Sequence, residues 1–253
     1  MAELLFWPAL LAYGEAAVAY AGNARHPGEL GRLATWGVRL GWLAQTGLLV
    51  AQAARADGFP WSTWAGTLNL FVWLVVSAYL IWGCKPSYRL LGLAVMPVAA
   101  VLLAVAYAGG GMAEGADRHF STLFLVLHVG LVLAGFAGFT LAAALAALYL
   151  WEERRLKRRE PRILRFGVPS IVALEELTAR VVAVSLTVFA AGMVAGFARG
   201  DEIDARMVAS VVTAGVYASF LALRAYGWRG RRAAWLALCG SLLVVVLLAA
   251  VHG

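Results

Sequence analysis

The chain has 253 residues, of which 62% are hydrophobic and 14% charged, and its mean hydropathy is +0.79. Soluble domains carry about 45–50% apolar and about 25% charged residues. A single core of this size cannot bury the excess of apolar side chains. The composition therefore excludes a water-soluble enzyme and indicates a polytopic membrane protein.

Eight apolar runs follow one another along the chain, separated by breaks that are rich in glycine, proline and charge. A span needs about 20 apolar residues, and only closed structures such as helices satisfy their backbone in lipid. The sequence therefore predicts an all-α bundle of about eight transmembrane helices that form a single transmembrane domain, residues 1–253. The runs cover residues 4–21, 34–54, 65–83, 90–108, 120–151, 176–198, 207–226 and 233–251.

The positive charges of the loops predict the orientation of these spans. Alternate loops carry 15 lysines and arginines on one side of the membrane and 4 on the other. Because basic loops stay in the cytoplasm, we expect both termini on the extracytoplasmic side. The formal net charge of +7 is then mainly a topology signal and a surface for anionic lipid. We do not expect a nucleic-acid partner.

The first two runs each contain a charged residue. Glu15 lies about six residues above the cytoplasmic end of the first run, and Arg39 lies about five residues into the second. Equal depth on consecutive antiparallel helices predicts a structural ion pair, because unpaired charges are costly in the membrane. A small-solute transporter that uses Glu15 remains an alternative.

Histidines mark the fifth and eighth runs. His128 lies about 12 Å inside the fifth, His119 just precedes that run, and His252 is the penultimate residue. All three belong to the predicted outer half, whereas His26 lies in the first cytoplasmic loop. An imidazole in a span either is satisfied by a carbonyl or hydroxyl of a neighbouring helix or serves a site. Imidazole is a good ligand for haem iron.

Other kinds of chemistry find little support in the sequence. Cys84 and Cys239 are isolated, with no CxxC or CxxCH motif, which argues against a thiol-redox role and covalent haem attachment. No acid, base or nucleophile converges on one site, so we do not expect an enzyme.

Several blocks of the chain, taken in order, resemble the cytochrome c assembly superfamily, and most closely its eight-span HemX-type branch. The resemblance covers nearly the whole chain and is most secure over residues 123–252. The blocks are Leu127-His128-Val129 with residues 135–139, Leu148-Tyr149-Leu150 with a basic run, Pro169-Ser170-Ile171 with residues 174–177 and Arg180, Tyr217-Ala218 with Leu221 and Arg224, and residues 227–234.

The resemblance implies a multi-pass haem-handling protein of cytochrome c biogenesis in the bacterial cytoplasmic membrane. By position, His128 and His252 would be the axial ligands of a non-covalent haem b, with His119 in reserve. Membrane lipid and other cytochrome c assembly or haem-pathway proteins would be its partners. The family's tryptophan-rich external loop is missing, because residues 196–206 contain no tryptophan. The alternative is a HemX-like regulatory or scaffolding subunit of haem metabolism without its own haem.

Overall fold

A computed structural model of the chain describes residues 2–25, 28–55, 61, 63–83, 88–110, 122–158, 170–197 and 205–252. Every regular element in these ranges is helical, which confirms the predicted all-α fold. Each predicted span falls on one helix, with bounds that differ by at most six residues. The helices are α1 (Ala2–Arg25), α2 (Leu30–Ala53), α3 (Trp64–Ala78, continued by a π-helical turn, Tyr79–Gly83), α4 (Arg89–Ala108), α5 (Thr122–Lys157), α6 (Ile171–Phe197), α7 (Ala205–Ala225) and α8 (Arg231–His252).

The helices are apolar enough to confirm a multi-pass membrane protein. Among the described residues, segments of α1, α3, α4, α5, α6 and α7 each have the length and hydropathy of a membrane span. The longest of these segments, Leu127–Lys157, has 31 residues and measures about 46 Å at 1.5 Å per residue. That all eight helices cross the membrane, with both termini outside, remains a prediction.

The contacts divide the chain into two compact units. The first contains α1–α4, and the second contains α5 from Leu127 onward together with α6–α8. Each unit thus has four helices, and different residues make the close helix contacts in each unit. That these units form a single transmembrane domain, residues 1–253, stays a prediction.

In the first unit, α1 packs closely on α2 because glycine faces it. A Cβ built at Gly41 would lie 2.6 Å from Cε1 of Tyr13, and one at Gly37 would lie 3.3 Å from the carbonyl oxygen of Ala12. Small residues let helix backbones approach in this way, and close approach is the main source of helix association in lipid.

A chain of buried hydrogen bonds links α1, α2 and α3. The Tyr13 hydroxyl donates to Oε1 of Gln45 at 2.7 Å, and Nε2 of Gln45 donates to Oδ1 of Asn69 at 2.9 Å. Asn69 Nδ2 then donates to Oε1 of Gln52 at 3.3 Å. All four side chains are buried. Because each polar group has a partner, the network stabilises the unit where unsatisfied groups would be costly.

The structure does not bring Glu15 and Arg39 together as the predicted ion pair. Both side chains are exposed, and no salt bridge joins them among the described residues. The guanidinium carbon of Arg39 lies instead 5.2 Å from the centroid of the Trp36 ring, which is a cation–π distance.

The difference arises from rotation about the helix axes and not from depth. The position of a Cβ at Gly37 is 3.5 Å from Cβ of Ala16, so Glu15 and Arg39 do lie at similar heights. Successive helical residues are about 100° apart. Ala16 and Val38 are fully buried. Glu15 comes directly before Ala16, and Arg39 comes directly after Val38, so both side chains point away from the α1–α2 contact.

In the second unit, α5 and α6 pack along a seam of small residues. A Cβ at Gly135 would lie 2.6 Å from Cβ of Phe189, and one at Gly138 would overlap the Ser185 hydroxyl group. On the α6 side, a Cβ at Gly192 would lie 2.9 Å from the backbone nitrogen of Val132. The paired residue numbers rise on one helix and fall on the other, so the two helices are antiparallel.

We predict that Gly138→Ala destabilises the second unit. The new methyl group would force α5 away from Ser185, and overpacking of this kind costs about 1–3 kcal/mol. Gly130→Ala, on the same helix, is the matched control, because a Cβ there meets nothing within 4 Å and helix propensity favours alanine by up to about 1 kcal/mol. Thermal unfolding of the detergent-purified variants compares them, and equal midpoints would contradict the proposed close approach.

We also predict that Gln45→Leu lowers the free energy of unfolding by about 1–3 kcal/mol, because it removes the partners that Gln45 provides for the Tyr13 hydroxyl and for Oδ1 of Asn69. Glu15→Gln should leave stability and yield unchanged, since Glu15 is exposed and has no ion pair with Arg39. Unfolding curves of the two variants against the parent protein test both statements. A strong loss of stability in Glu15→Gln would restore the predicted ion pair.

Candidate functional site

The structure places His128 on the face of α5 that contacts α6. Its ring is half-buried, and Nδ1 lies 2.7 Å from the carbonyl oxygen of Gly192. A carbonyl oxygen can only accept a hydrogen bond, so Nδ1 must carry the hydrogen and donate it. One alternative from the sequence was that a carbonyl of a neighbouring helix satisfies the imidazole. Nδ1 of His128 has such a partner in the Gly192 carbonyl.

This hydrogen bond decides what the other ring nitrogen can do. In a neutral imidazole with its hydrogen on Nδ1, Nε2 keeps a lone pair in the plane of the ring. Among the described residues, no hydrogen bond involves Nε2 of His128. A backbone carbonyl on one nitrogen is the usual arrangement behind a histidine that binds metal through the other. The arrangement is thus chemically suited to a metal ligand.

A glycine makes room for the His128 ring. Gly196 lies one helical turn after Gly192 on α6, and a Cβ there would lie 2.5 Å from Cε1 of His128 and 2.9 Å from Nδ1. Helical side chains lean toward the N-terminus and cover the turn before them. A side chain at residue 196 would therefore stand between the imidazole and the Gly192 carbonyl.

The second predicted ligand, His252, is the last residue of α8. Its side chain lies outside the described part of the structure, so the structure does not test whether it meets His128. The reserve ligand His119 and the loop histidine His26 also lie outside the described residues. Within those residues no group of three or more histidine, cysteine or acidic side chains could hold a metal. A haem iron needs only axial ligands from the protein.

One layer of contacts relates the heights of α5, α7 and α8. The Phe139 ring of α5 stacks on Tyr217 of α7 with ring centroids 3.6 Å apart, and the Tyr217 hydroxyl lies 2.9 Å from Oγ of Ser241 on α8. His128 lies 11 residues from Phe139, and His252 lies 11 residues from Ser241. Both Cα atoms are therefore about 16 Å from this layer, at about 1.5 Å per residue.

The same spacing also relates the helix faces. Eleven residues make three helical turns to within about 20°, so residue 128 shares a face of α5 with Phe139, and residue 252 shares a face of α8 with Ser241. Both of these faces meet at Tyr217 three turns below. The backbone positions 128 and 252 thus lie at similar height, on the helix faces that contact Tyr217 three turns away.

Sequence reasoning missed three residues of this site. Gly192 and Gly196 were not singled out, although a Gly-xxx-Gly spacing on an apolar helix is a recognisable packing signal. Tyr217 was noted only as part of a family block, and its role as a common contact of three helices depends on tertiary packing. No sequence pattern would have revealed that contact.

We predict that Gly196→Ala displaces the His128 ring and breaks its hydrogen bond to Gly192. In ¹⁵N-histidine-labelled protein, the Nδ1 resonance of His128 should lose the signature of a fixed Nδ1–H tautomer, with His128→Gln used for its assignment. Gly215→Ala is the control, because a Cβ there meets nothing within 4 Å. An unchanged His128 spectrum in Gly196→Ala would contradict the contact.

A comparison with models of known protein families finds a match. Residues 61–251 match the family model for the cytochrome C assembly protein. This range takes in α3 to α7, including His128, and ends one residue before His252. No curated protein and no solved structure matches the chain in the corresponding comparisons. Because the match covers about three quarters of the sequence, the chain belongs to the cytochrome c assembly protein family.

Proposed function

We propose that this membrane protein binds or handles haem in cytochrome c biogenesis, with His128 as an axial ligand through Nε2. The observation that carries the proposal is the hydrogen bond from Nδ1 of His128 to the Gly192 carbonyl, 2.7 Å long. It leaves Nε2 with its lone pair, and family membership supplies the context of cytochrome c assembly.

The residues around His128 suit such a ligand. The Gly192 carbonyl fixes the tautomer and orientation of the ring, as partners of this kind do in metal sites. The close packing of α6 on Val132 holds that carbonyl in place. A bound haem would supply the iron, and His128 would hold it with an imidazole whose orientation the Gly192 carbonyl fixes.

His252 is the proposed second ligand, with His119 in reserve. The support for His252 is helical register, since residues 128 and 252 lie at about the same height on the helix faces that contact Tyr217 three turns away. A pair of histidine ligands would hold a non-covalent haem b without any CxxCH motif. We propose no catalytic step for the chain itself.

The charge distribution supports a site on the extracytoplasmic side of a bacterial cytoplasmic membrane. The basic loops follow the C-terminus of α5 and precede the N-terminus of α8. His128 lies near the N-terminus of α5, and His252 lies at the C-terminus of α8, so both are at the opposite ends of these helices. Partners would be other proteins of cytochrome c assembly or of the haem pathway that meet the chain on that side.

We predict that protein purified in detergent, with haem added where needed, shows a Soret band that depends on the two histidines. His128→Ala and His252→Ala should each lose most of the absorbance per protein. Gly196→Ala should weaken haem binding by about 10–100-fold, the usual effect of disturbing a ligand's supporting hydrogen bond. His26→Ala and Gly215→Ala are the controls and should keep the parent spectrum.

The same experiment distinguishes the regulatory alternative, which the absence of tryptophan from residues 196–206 favours. A scaffolding subunit without its own haem would stay colourless with added haem, and it would still bring down its partner after both histidines are replaced. A Soret band that survives both substitutions would instead contradict these ligands.

A further inference from the structure

Two charged side chains of the first unit face outward at membrane depth. Glu15 belongs to a segment of α1, Leu4–Asn23, that has the length and hydropathy of a membrane span. It lies eight residues before Asn23, which is about 12 Å inside the nearer end of that segment. Arg39 lies on α2, which packs along α1. Both side chains are exposed. Ionised groups are costly in lipid, so they pair with one another or with backbone carbonyls.

The exposed neighbours of these two residues show that each belongs to the outward surface of its helix. Leu11 and Val18 lie one turn on either side of Glu15, and they are 67% and 73% exposed. The Arg39 guanidinium lies against the Trp36 ring, and Trp36 is 59% exposed. Within the described residues, no ion pair joins Glu15 to a cation or Arg39 to a carboxylate. The outward surface of α1 and α2 thus carries one charge of each sign without a counter-charge from its own chain.

The two charges lie at nearly the same height. The contacting positions of α1 and α2 rise in number on one helix and fall on the other, so these helices are antiparallel. Ala16 and Gly37 are level, since a Cβ at Gly37 would lie 3.5 Å from Cβ of Ala16. Glu15 is one residue before Ala16, and Arg39 is two residues after Gly37. In antiparallel helices these steps point the same way, so the two heights differ by only about 1.5 Å.

We infer that a second copy of this chain covers this surface, in a symmetric dimer in which Glu15 of each copy pairs with Arg39 of the other. Two copies insert in the membrane with the same orientation, because the same loops set it. A two-fold axis between them therefore runs along the membrane normal and keeps every residue at its height. An axis that passes between α1 and α2 places α1 of one copy opposite α2 of the other. Equal height and opposite charge are what this symmetry requires of the two residues.

Charge complementarity within one surface favours a second copy over a different protein. A different protein would need a cation and an anion of its own at this depth, whereas this surface already carries both. The symmetry forms the ion pair twice and leaves neither charge in lipid. Exposed apolar side chains beside the charges, including Leu11, Val18 and Leu40, supply the van der Waals packing by which helices associate in lipid. Both helices precede residues 61–251, so the family match does not cover this surface.

The test measures dimerisation of the full-length protein in phosphatidylcholine bilayers. Energy transfer between copies that carry donor or acceptor fluorophores is followed as the protein-to-lipid ratio changes. Glu15→Gln and Arg39→Gln each alter both ion pairs of the dimer, and each should weaken dimerisation about tenfold or more, as loss of a hydrogen bond to a charged group does. Arg32→Gln is the matched control. It also removes one positive charge from α2, but Arg32 pairs with Glu29 of its own chain at 2.6 Å, so this variant should match the parent protein.

Reversal of the charges gives the sharpest comparison. Glu15→Arg leaves two positive charges on the surface, and Arg39→Glu leaves two negative charges, so neither variant should dimerise alone. A mixture of the two variants should dimerise about as strongly as the parent protein, because both ion pairs between unlike copies again join opposite charges. An ion pair within one chain would not produce this result.

The neutral variants decide the matter if a charge-reversal variant folds poorly. In detergent at low concentration, where the copies are separated, Glu15→Gln should keep the unfolding midpoint of the parent protein, because the ion pair joins two copies. Dimerisation of Glu15→Gln and Arg39→Gln at parental strength would overturn the inference. A parent protein that stays monomeric at every protein-to-lipid ratio, or folded charge-reversal variants that do not associate when mixed, would also overturn it.

Discussion

The close contact between α5 and α6 is the constraint on which the candidate site depends. Helices in lipid associate through backbone proximity, and here glycine provides it at Gly135, Gly138 and Gly192. At the end of the same seam nearer the N-terminus of α5, the imidazole of His128 occupies the space that Gly196 leaves open. The ring is therefore part of the packing, and its hydrogen bond to the Gly192 carbonyl follows from the geometry that brings the helices together.

The two units satisfy their polar groups in different ways. The first unit buries neutral amides and hydroxyls in one connected network, Tyr13 to Gln52, in which amides serve as both donors and acceptors. In the described part of the second unit, the charged pairs lie near the C-terminus of α5, the N-termini of α6 and α8 and the C-terminus of α7, where Arg224 joins α7 to α6. Neutral groups suit the membrane interior, because burying a charge costs far more than burying a hydrogen-bonded amide.

The sequence predicts the helices well because hydropathy and breaks in it are local properties. The bounds of all eight helices follow from apolar runs, and depth along a helix follows from counting residues. The rotation of a helix about its axis does not follow from counting residues. For this reason Glu15 and Arg39 lie at similar height without forming an ion pair. The partners of a side chain depend on which helices meet, so the carbonyl that orients His128 could not be predicted.

The Tyr217 layer connects the two ends of the second unit. His128 and His252 lie 11 residues from Phe139 and Ser241 toward one end, while Tyr149 and Gly230 lie 10 and 11 residues from the same two residues toward the other. Because α5 and α8 run in opposite directions past α7, sliding one of them would separate both pairs of positions at once. The stacking of Phe139 on Tyr217 and the Tyr217–Ser241 hydrogen bond hold this register. A second α5–α8 contact, in which the Tyr149 hydroxyl lies 3.2 Å from the position of a Cβ at Gly230, fits the same register.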